Sequence, residues 1–326
     1  MPWFPAGFGR TLRRGGLRRA LSLMTVRRRR ILAWHAMAAT GVSTVTFARE
    51  ALIWRVPVGD PHVGFGLFVE GGFERAKIDA LLRWLIARGR GPGPGDVVVD
   101  VGANIGTTSI PIVRTCGCRA VAIEPVLTTF ALLRQNVELN DVAGSIRLVN
   151  AAVVPVSGRC TMALSDNIGA AEVRPSSENP PVDTDGAMTI EVAGMSLTDA
   201  LASAEVNVDD VSLVWADVQG CETAVILTGT ALWARGVPLW AEFEPGLLAR
   251  HGGVEAFVAA ARHAFDRFIE AHDLLRLGPL AEPQSTDRLA EVLSREPVQT
   301  DVLLLPPGWT GVLDPNLLDT VAAGHT

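Results

Sequence analysis

Asp100, Gly102, Asn104 and Gly106 fall on alternate positions of Asp-Val-Gly-Ala-Asn-Ile-Gly, directly after the run Val97, Val98, Val99. A β-branched run of this kind fills a strand buried on both faces. The glycines then let the backbone turn sharply and approach a ligand, because no Cβ stands in the way. Residues from Thr107 to Thr115 can start a helix. Strand, glycine turn and helix together describe a nucleotide pocket at the carboxyl edge of a parallel sheet. Glu124 ends a second short apolar strand, Ala120 to Ile123, roughly 20 residues beyond the turn, where an acid accepts hydrogen bonds from ribose hydroxyls. The plainer alternative is that Glu124 favours the start of the next helix.

The spacing discriminates between nucleotides. A dinucleotide turn reads Gly-x-Gly-x-x-Gly, so that a diphosphate can rest on the helix end. Here Asn104 replaces the middle glycine and Asp100 stands just before the turn. An acid is poor company for a diphosphate. It suits a ligand with positive charge, such as the ammonium and sulfonium of S-adenosylmethionine. On that argument a methyl donor is preferred to NAD, and Asp100 is assigned to the donor's methionine end.

Asp-Val-Gly-Ala-Asn-Ile-Gly at 100–106, Glu124-Pro125, and Asp217-Val218-Gln219-Gly220-Cys221-Glu222 together resemble the FkbM-type S-adenosylmethionine-dependent methyltransferases. The first motif indicates a class I methyltransferase; the second narrows it to FkbM. The resemblance runs from Thr44 to Leu305. It implies a Rossmann-like fold: a mostly parallel seven-stranded sheet flanked by helices, behind a small β-rich lead-in. It also implies that Asn150 and Ala151, just past the third strand, lie against the adenine. The alternative for Asn150 is that it only caps a strand end. The reaction implied is O-methylation of a hydroxyl on a sugar, polyketide or other secondary metabolite, with a small molecule or glycan as acceptor.

Methyl transfer from a sulfonium mainly requires alignment and exclusion of water. An alcohol nucleophile must also lose a proton, so a nearby base helps. Asp100, Asp217 and Glu242 each end a core strand and should share the ligand crevice. Asp217 is the candidate base, and could equally hold the donor's ammonium. Glu242 or Glu244 comes second, Glu222 can stabilise the following helix, and His251 is a remoter base. The related pattern often reads Lys-x-Asp-Val-Glu-Gly, whereas Trp215 and Gln219 stand here in place of the lysine and glutamate. Trp215 is either a flat wall for a sugar or ring or plain core. Acids cluster in the sequence only at Asp209-Asp210, which read as loop, so catalysis without a metal is expected.

The chain of 326 residues is 48% hydrophobic, enough for one large α/β domain. Nine of its 29 basic residues lie in the first 30 positions, which hold no acid. The rest carries 20 basic against 35 acidic side chains. The basic arm and the acidic body are therefore different objects. Domain limits are expected at 1–43 for a flexible basic arm, 44–95 for lead-in strands and a helix, and 96–326 for the methyltransferase domain. An insertion at 153–210 holds a hairpin and a mobile loop.

Residues 1–30 interleave Leu and Arg and suit weak contact with an anionic membrane surface. No nucleic-acid partner is expected. The run Ile31 to Ala48 is too short and too polar to span a bilayer. Unpaired cysteines suit a cytoplasmic enzyme, peripheral to the membrane at most. The competing functions are a nicotinamide-dependent oxidoreductase and a noncatalytic protein that retains the fold. A single amphipathic helix is expected from Val254 to Ile269, and Pro111 means that the helix after the turn starts late or kinks.

Overall fold

A computed structural model describes residues 25–165, 168–174, 188–295 and 299–316. Residues 1–24 of the basic arm, and most of the Pro/Ser/Asp-rich loop at 174–186, lie outside the described residues. The chain divides between Phe73 and Glu74 into two compact units, where the sequence suggested a boundary at 95/96.

In the first unit, α1 (Val26–Ala39) is capped by the Thr25 hydroxyl, which accepts from the Arg28 N–H. Part of the expected flexible arm is thus helical. Four consecutive arginines, Arg27 to Arg30, follow its first residue. Among the described residues no helix is long and apolar enough to cross a membrane. An antiparallel hairpin follows, β1 (Thr44–Arg49) and β2 (Leu52–Pro57). Its two turn residues, Glu50 and Ala51, both have positive φ, the geometry that matches the twist of a two-residue hairpin. This is the small β-rich lead-in.

The second unit opens with α2 (Arg75–Ile86). The core strands and helices are β3 (Val97–Val101), α3 (Ser109–Cys116), β4 (Arg119–Ile123), α4 (Leu127–Leu139) and β5 (Ile146–Val149). The inserted segment follows as β6 (Ala152–Val153), β7 (Gly158–Ala163), β8 (Glu172–Arg174) and β9 (Thr189–Met195). Then come α5 (Leu197–Ser203), β10 (Val211–Ala216), α6 (Glu222–Thr228) and β11 (Leu239–Phe243). The chain finishes with α7 (Gly253–Ala264), β12 (Arg267–Glu270), β13 (Gln284–Ser285) and β14 (Thr300–Leu305).

The main sheet runs β13-β12-β14-β11-β10-β3-β4-β5. Strands β11, β10, β3, β4 and β5 are mutually parallel, and β14 runs antiparallel between β11 and β12. This is the Rossmann-like sheet expected, with one strand more than seven; the addition, β13, is only two residues long. Val97, Val98 and Val99 are essentially fully buried, as are Leu239, Trp240 and Ala241. These apolar runs therefore lie at the centre of the sheet.

Two expectations about elements resolve here. The helix after the glycine turn starts late, at Ser109, which puts Pro111 in its first turn, where its missing N–H costs nothing. The helix expected through Ile269 stops at Ala264. Phe265 is already extended (φ −132, ψ 143), and Phe268 and Ile269 belong to β12. Phe265, Phe268 and Ile269 sit at helical spacing, yet Phe268 and Ile269 are adjacent residues of a strand buried on both faces. The inserted strands form a separate sheet in the order β6-β9-β7-β8, mostly antiparallel.

Candidate active site

The residues singled out in the sequence gather at the carboxyl ends of β3, β4, β10 and β11. The glycine turn has a physical reason at each of its special positions. Gly102 has φ +83, and a Cβ there would run into the Asp217 carbonyl oxygen. The Asp217 N–H in turn donates to the Val101 carbonyl at 3.0 Å. The two motifs, more than a hundred residues apart, thus lie backbone to backbone. Gly106 has φ +94, and a Cβ there would press on Ile110 at 2.6 Å and Leu133 at 3.1 Å. These glycines admit the protein's own neighbours. Asn104 has φ +50, a conformation that asparagine tolerates better than most residues, which is why it can stand where glycine might.

Three acids on this edge are held by backbone. Asp100 is 1% exposed and its Oδ2 accepts from the Ser109 N–H at 3.0 Å, pinning the start of α3. Its Oδ1 has no hydrogen-bond partner among the described residues. Burial pushes its carboxyl up to about 7. Glu124 accepts from the Asn104 N–H at 3.1 Å and the Val126 N–H at 2.8 Å, so it joins the glycine turn to the start of α4. Burial raises it to about 8. Glu222 accepts from the Val218 N–H at 3.1 Å and, more weakly, the Gly220 N–H at 3.4 Å, and burial raises it to about 7. It opens α6, as the helix-start alternative for it required.

The Asn150 amide donates to the carbonyls of Glu124, at 2.8 Å, and Pro125, at 3.0 Å, tying the third strand end to the second. Ala151 is packed in the core with no exposed surface.

A second group of acids is held by side chains. Gln219 Nε2 donates to Asp217 Oδ1 at 2.8 Å and to Glu242 Oε2 at 2.9 Å. Gln299 donates to the other oxygen of Glu242. Asp301, opposite Glu242 in the β11–β14 register, accepts from Trp240 Nε1 at 3.3 Å and pairs with Lys77 Nζ at 2.6 Å. Lys77 also pairs with Glu74 at 2.7 Å. Burial, then the neighbouring Asp217 charge, pushes the Glu242 carboxyl far above the carboxylate range.

Sequence reasoning missed Glu74, Lys77, Gln299 and Asp301. Two signals were present: Lys77 is the only lysine in the chain, and Asp301 heads the otherwise apolar run Val302 to Leu305. An acid there needs a partner in the fold.

Two other candidates have structural employment. Trp215 is 2% exposed and stacks on Trp240 with ring centroids 4.9 Å apart, so it is core and offers no wall to a ligand. His251 is half-buried against the second motif: its ring lies 3.9 Å from Cys221 Sγ and would be 3.1 Å from a Cβ on Gly220. Burial lowers its pKa. Glu244 lies just past β11, partly exposed. Among the described residues no three His, Cys, Asp or Glu are grouped to hold a metal ion.

The chain is similar to several solved methyltransferases. P. horikoshii TYW2 in complex with MeSAdo is 14% identical, with 85% of this chain and 81% of that one covered, at a TM-score of 0.40. M. jannaschii TYW2 in complex with AdoMet is 10% identical, with 81% and 85% covered, at 0.41. A geranyl diphosphate methyltransferase in complex with SAM is 11% identical, with 76% and 92% covered, at 0.39. No curated protein matches the chain. The family model described as Methyltransferase FkbM domain matches residues 100–271, from the acid of the glycine turn to the end of β12. That is more than half of the chain, and the protein belongs to the FkbM methyltransferase family.

Proposed function

We propose that this protein transfers a methyl group from S-adenosylmethionine to a hydroxyl of a sugar, a polyketide or another secondary metabolite. The observation that supports this reading most is the contact between the two motifs. The backbone N–H of Asp217, whose side chain is half-buried, donates to the Val101 carbonyl at the end of the strand that leads into the glycine turn.

The residues fit such a donor. Glu124 is anchored by two backbone N–H groups yet keeps acceptor capacity for ribose hydroxyls. Asp100 has an oxygen without a partner, and Asp217 adds a second acid close enough to interact with it. An edge so rich in acids favours a cation and disfavours a diphosphate. When bound, S-adenosylmethionine supplies a methyl group on a sulfonium whose sulfur departs as a neutral thioether.

The protein's tasks are then alignment, exclusion of water and removal of one proton. Asp217 takes that proton as the acceptor's O–H bond breaks and its oxygen bonds to carbon. Glu124 and the backbone of 102–106 hold the nucleoside end. Asp100 supplies negative charge behind the turn.

Calorimetric titration of the full chain with S-adenosylmethionine, S-adenosylhomocysteine and NADH tests the reading. Binding of the first two alone is expected. Absence of binding by folded protein, or binding of NADH alone, overturns it.

A further inference from the structure

Gln219 joins two carboxyl groups through one nitrogen. It sits at φ +52, in the left-handed region that non-glycine residues seldom adopt. Its Nε2 lies 2.8 Å from Asp217 Oδ1 and 2.9 Å from Glu242 Oε2. Only one orientation of the amide is tenable, because an oxygen in that place would face two carboxyl oxygens with no hydrogen between them. The two amide hydrogens are therefore divided between the two acids. One nitrogen within 2.9 Å of an oxygen on each acid holds the two carboxyls close together.

No cation attends this pair among the described residues. Lys77, on α2, is committed to Glu74 and Asp301. The other groups facing the pair are acids or amides: Asp100 on β3, Glu124 past β4, Glu222 on α6, Glu244 past β11, Asp301 on β14, Glu74 before α2, and Gln299. Two full negative charges held so close without a cation are unfavourable, and a single shared proton relieves the repulsion. Exposure decides where that proton resides. Glu242 is 4% exposed and Asp217 is half-buried, so water can stabilise charge on Asp217 and not on Glu242.

We propose that Gln219 is a positioning residue that clamps Asp217 and Glu242 into a pair carrying one proton, with Asp217 ionised toward the acceptor and Glu242 protonated behind it. The upward displacement of the Glu242 carboxyl by burial and by the Asp217 charge agrees with this. The use of the pair rests on the methyl-transfer reading. The acceptor's O–H bond breaks, its proton goes to Asp217, the pair then holds two protons, and one returns to water after the product leaves. The pair itself requires neither donor nor acceptor.

The test is a carbon-13 NMR titration of the ligand-free full chain, with labelled Asp and Glu carboxyl carbons. The Glu242 and Asp217 signals are identified by their loss in Glu242→Gln and Asp217→Asn. Glu242 is expected to be protonated at neutral pH, and Asp217→Asn to lower its midpoint by roughly one pH unit or more. Gln219→Met, equal in length but without a donor, is expected to raise the Glu242 midpoint further, because the carboxylate loses that hydrogen bond. If that variant does not fold, Gln219→Glu serves instead, and is expected to add a bound proton to the cluster at neutral pH. An ionised Glu242 at neutral pH, or midpoints that ignore substitution at Gln219, overturns the proposal. The calorimetric titration above decides the methyl-transfer reading separately.

Discussion

Apart from Glu222, which backbone N–H groups hold at the start of α6, the β3–β4 half of the active-site edge and the β10–β11 half hold their acids by different means. Asp100 and Glu124 accept hydrogen bonds from main-chain N–H groups: Ser109, Asn104 and Val126. Asp217 and Glu242 are held by side-chain amides, Gln219 and Gln299, and the adjoining Asp301 by Lys77 and the Trp240 indole. A main-chain donor is fixed by the fold and survives any substitution at its own residue except proline. A side-chain donor can be exchanged by one mutation. The first half is therefore suited to a constant ligand and the second to chemistry that varies with the acceptor.

The hinge of the comparison is Gly102, where the two halves touch. Gly102→Ala places a Cβ on the Asp217 carbonyl at a positive φ, and should cost about 3 kcal/mol in chemical denaturation while disturbing both halves together. A small stability change would mean that the halves are less tightly joined than the geometry implies.

Asp217→Asn keeps the Gln219 contact partly in place but removes the base. Turnover should fall by about a hundredfold or more while donor affinity in calorimetry holds. Loss of donor affinity with Asp217→Asn would instead assign Asp217 to the donor's ammonium and blur the division between the halves. Glu124→Ala should do the opposite, weakening donor binding by about tenfold, or roughly 1.4 kcal/mol. Unchanged affinity would remove the ribose assignment.

The smallest effect concerns pH. Asp100, Glu124 and Glu222 have folded-state pKa values raised by burial to about 7, 8 and 7. Over the window between an ordinary carboxyl pKa and these values, the folded state keeps protons that the unfolded state has released. Stability of the ligand-free protein must then fall as pH rises from about 4.5 to about 8. Glu124→Gln removes one such group and should flatten the decline of Tm across the window. A thermal profile with the same slope as the parent would show that Glu124 ionises normally.

The structure also explains why the sequence was legible in some places and opaque in others. Val97 to Gly106 was readable because strand, turn and acid are consecutive, and local sterics favour glycine or asparagine at positive φ. Phe265 to Ile269 was not, because Phe265, Phe268 and Ile269 fall at helical spacing, and only pairing with β14 settles Phe268 and Ile269 as strand. Trp215 was ambiguous because burial depends on which aromatic lies across the neighbouring strand, here Trp240.

What the sequence determined by itself is whatever short-range geometry dictates: the alternation of buried strands and helices, the glycine turn, Glu124 at the second strand tip, and family membership through two motifs. What the tertiary structure alone decided is which charges meet. Lys77, Gln219, Glu242, Gln299 and Asp301 are scattered over more than two hundred positions and carry no common spacing. They converge because β10, β11 and β14 are neighbours in the sheet and α2 brings Lys77 to Asp301. Protonation follows from that convergence, since a carboxyl's pKa is set by burial and by the charges around it.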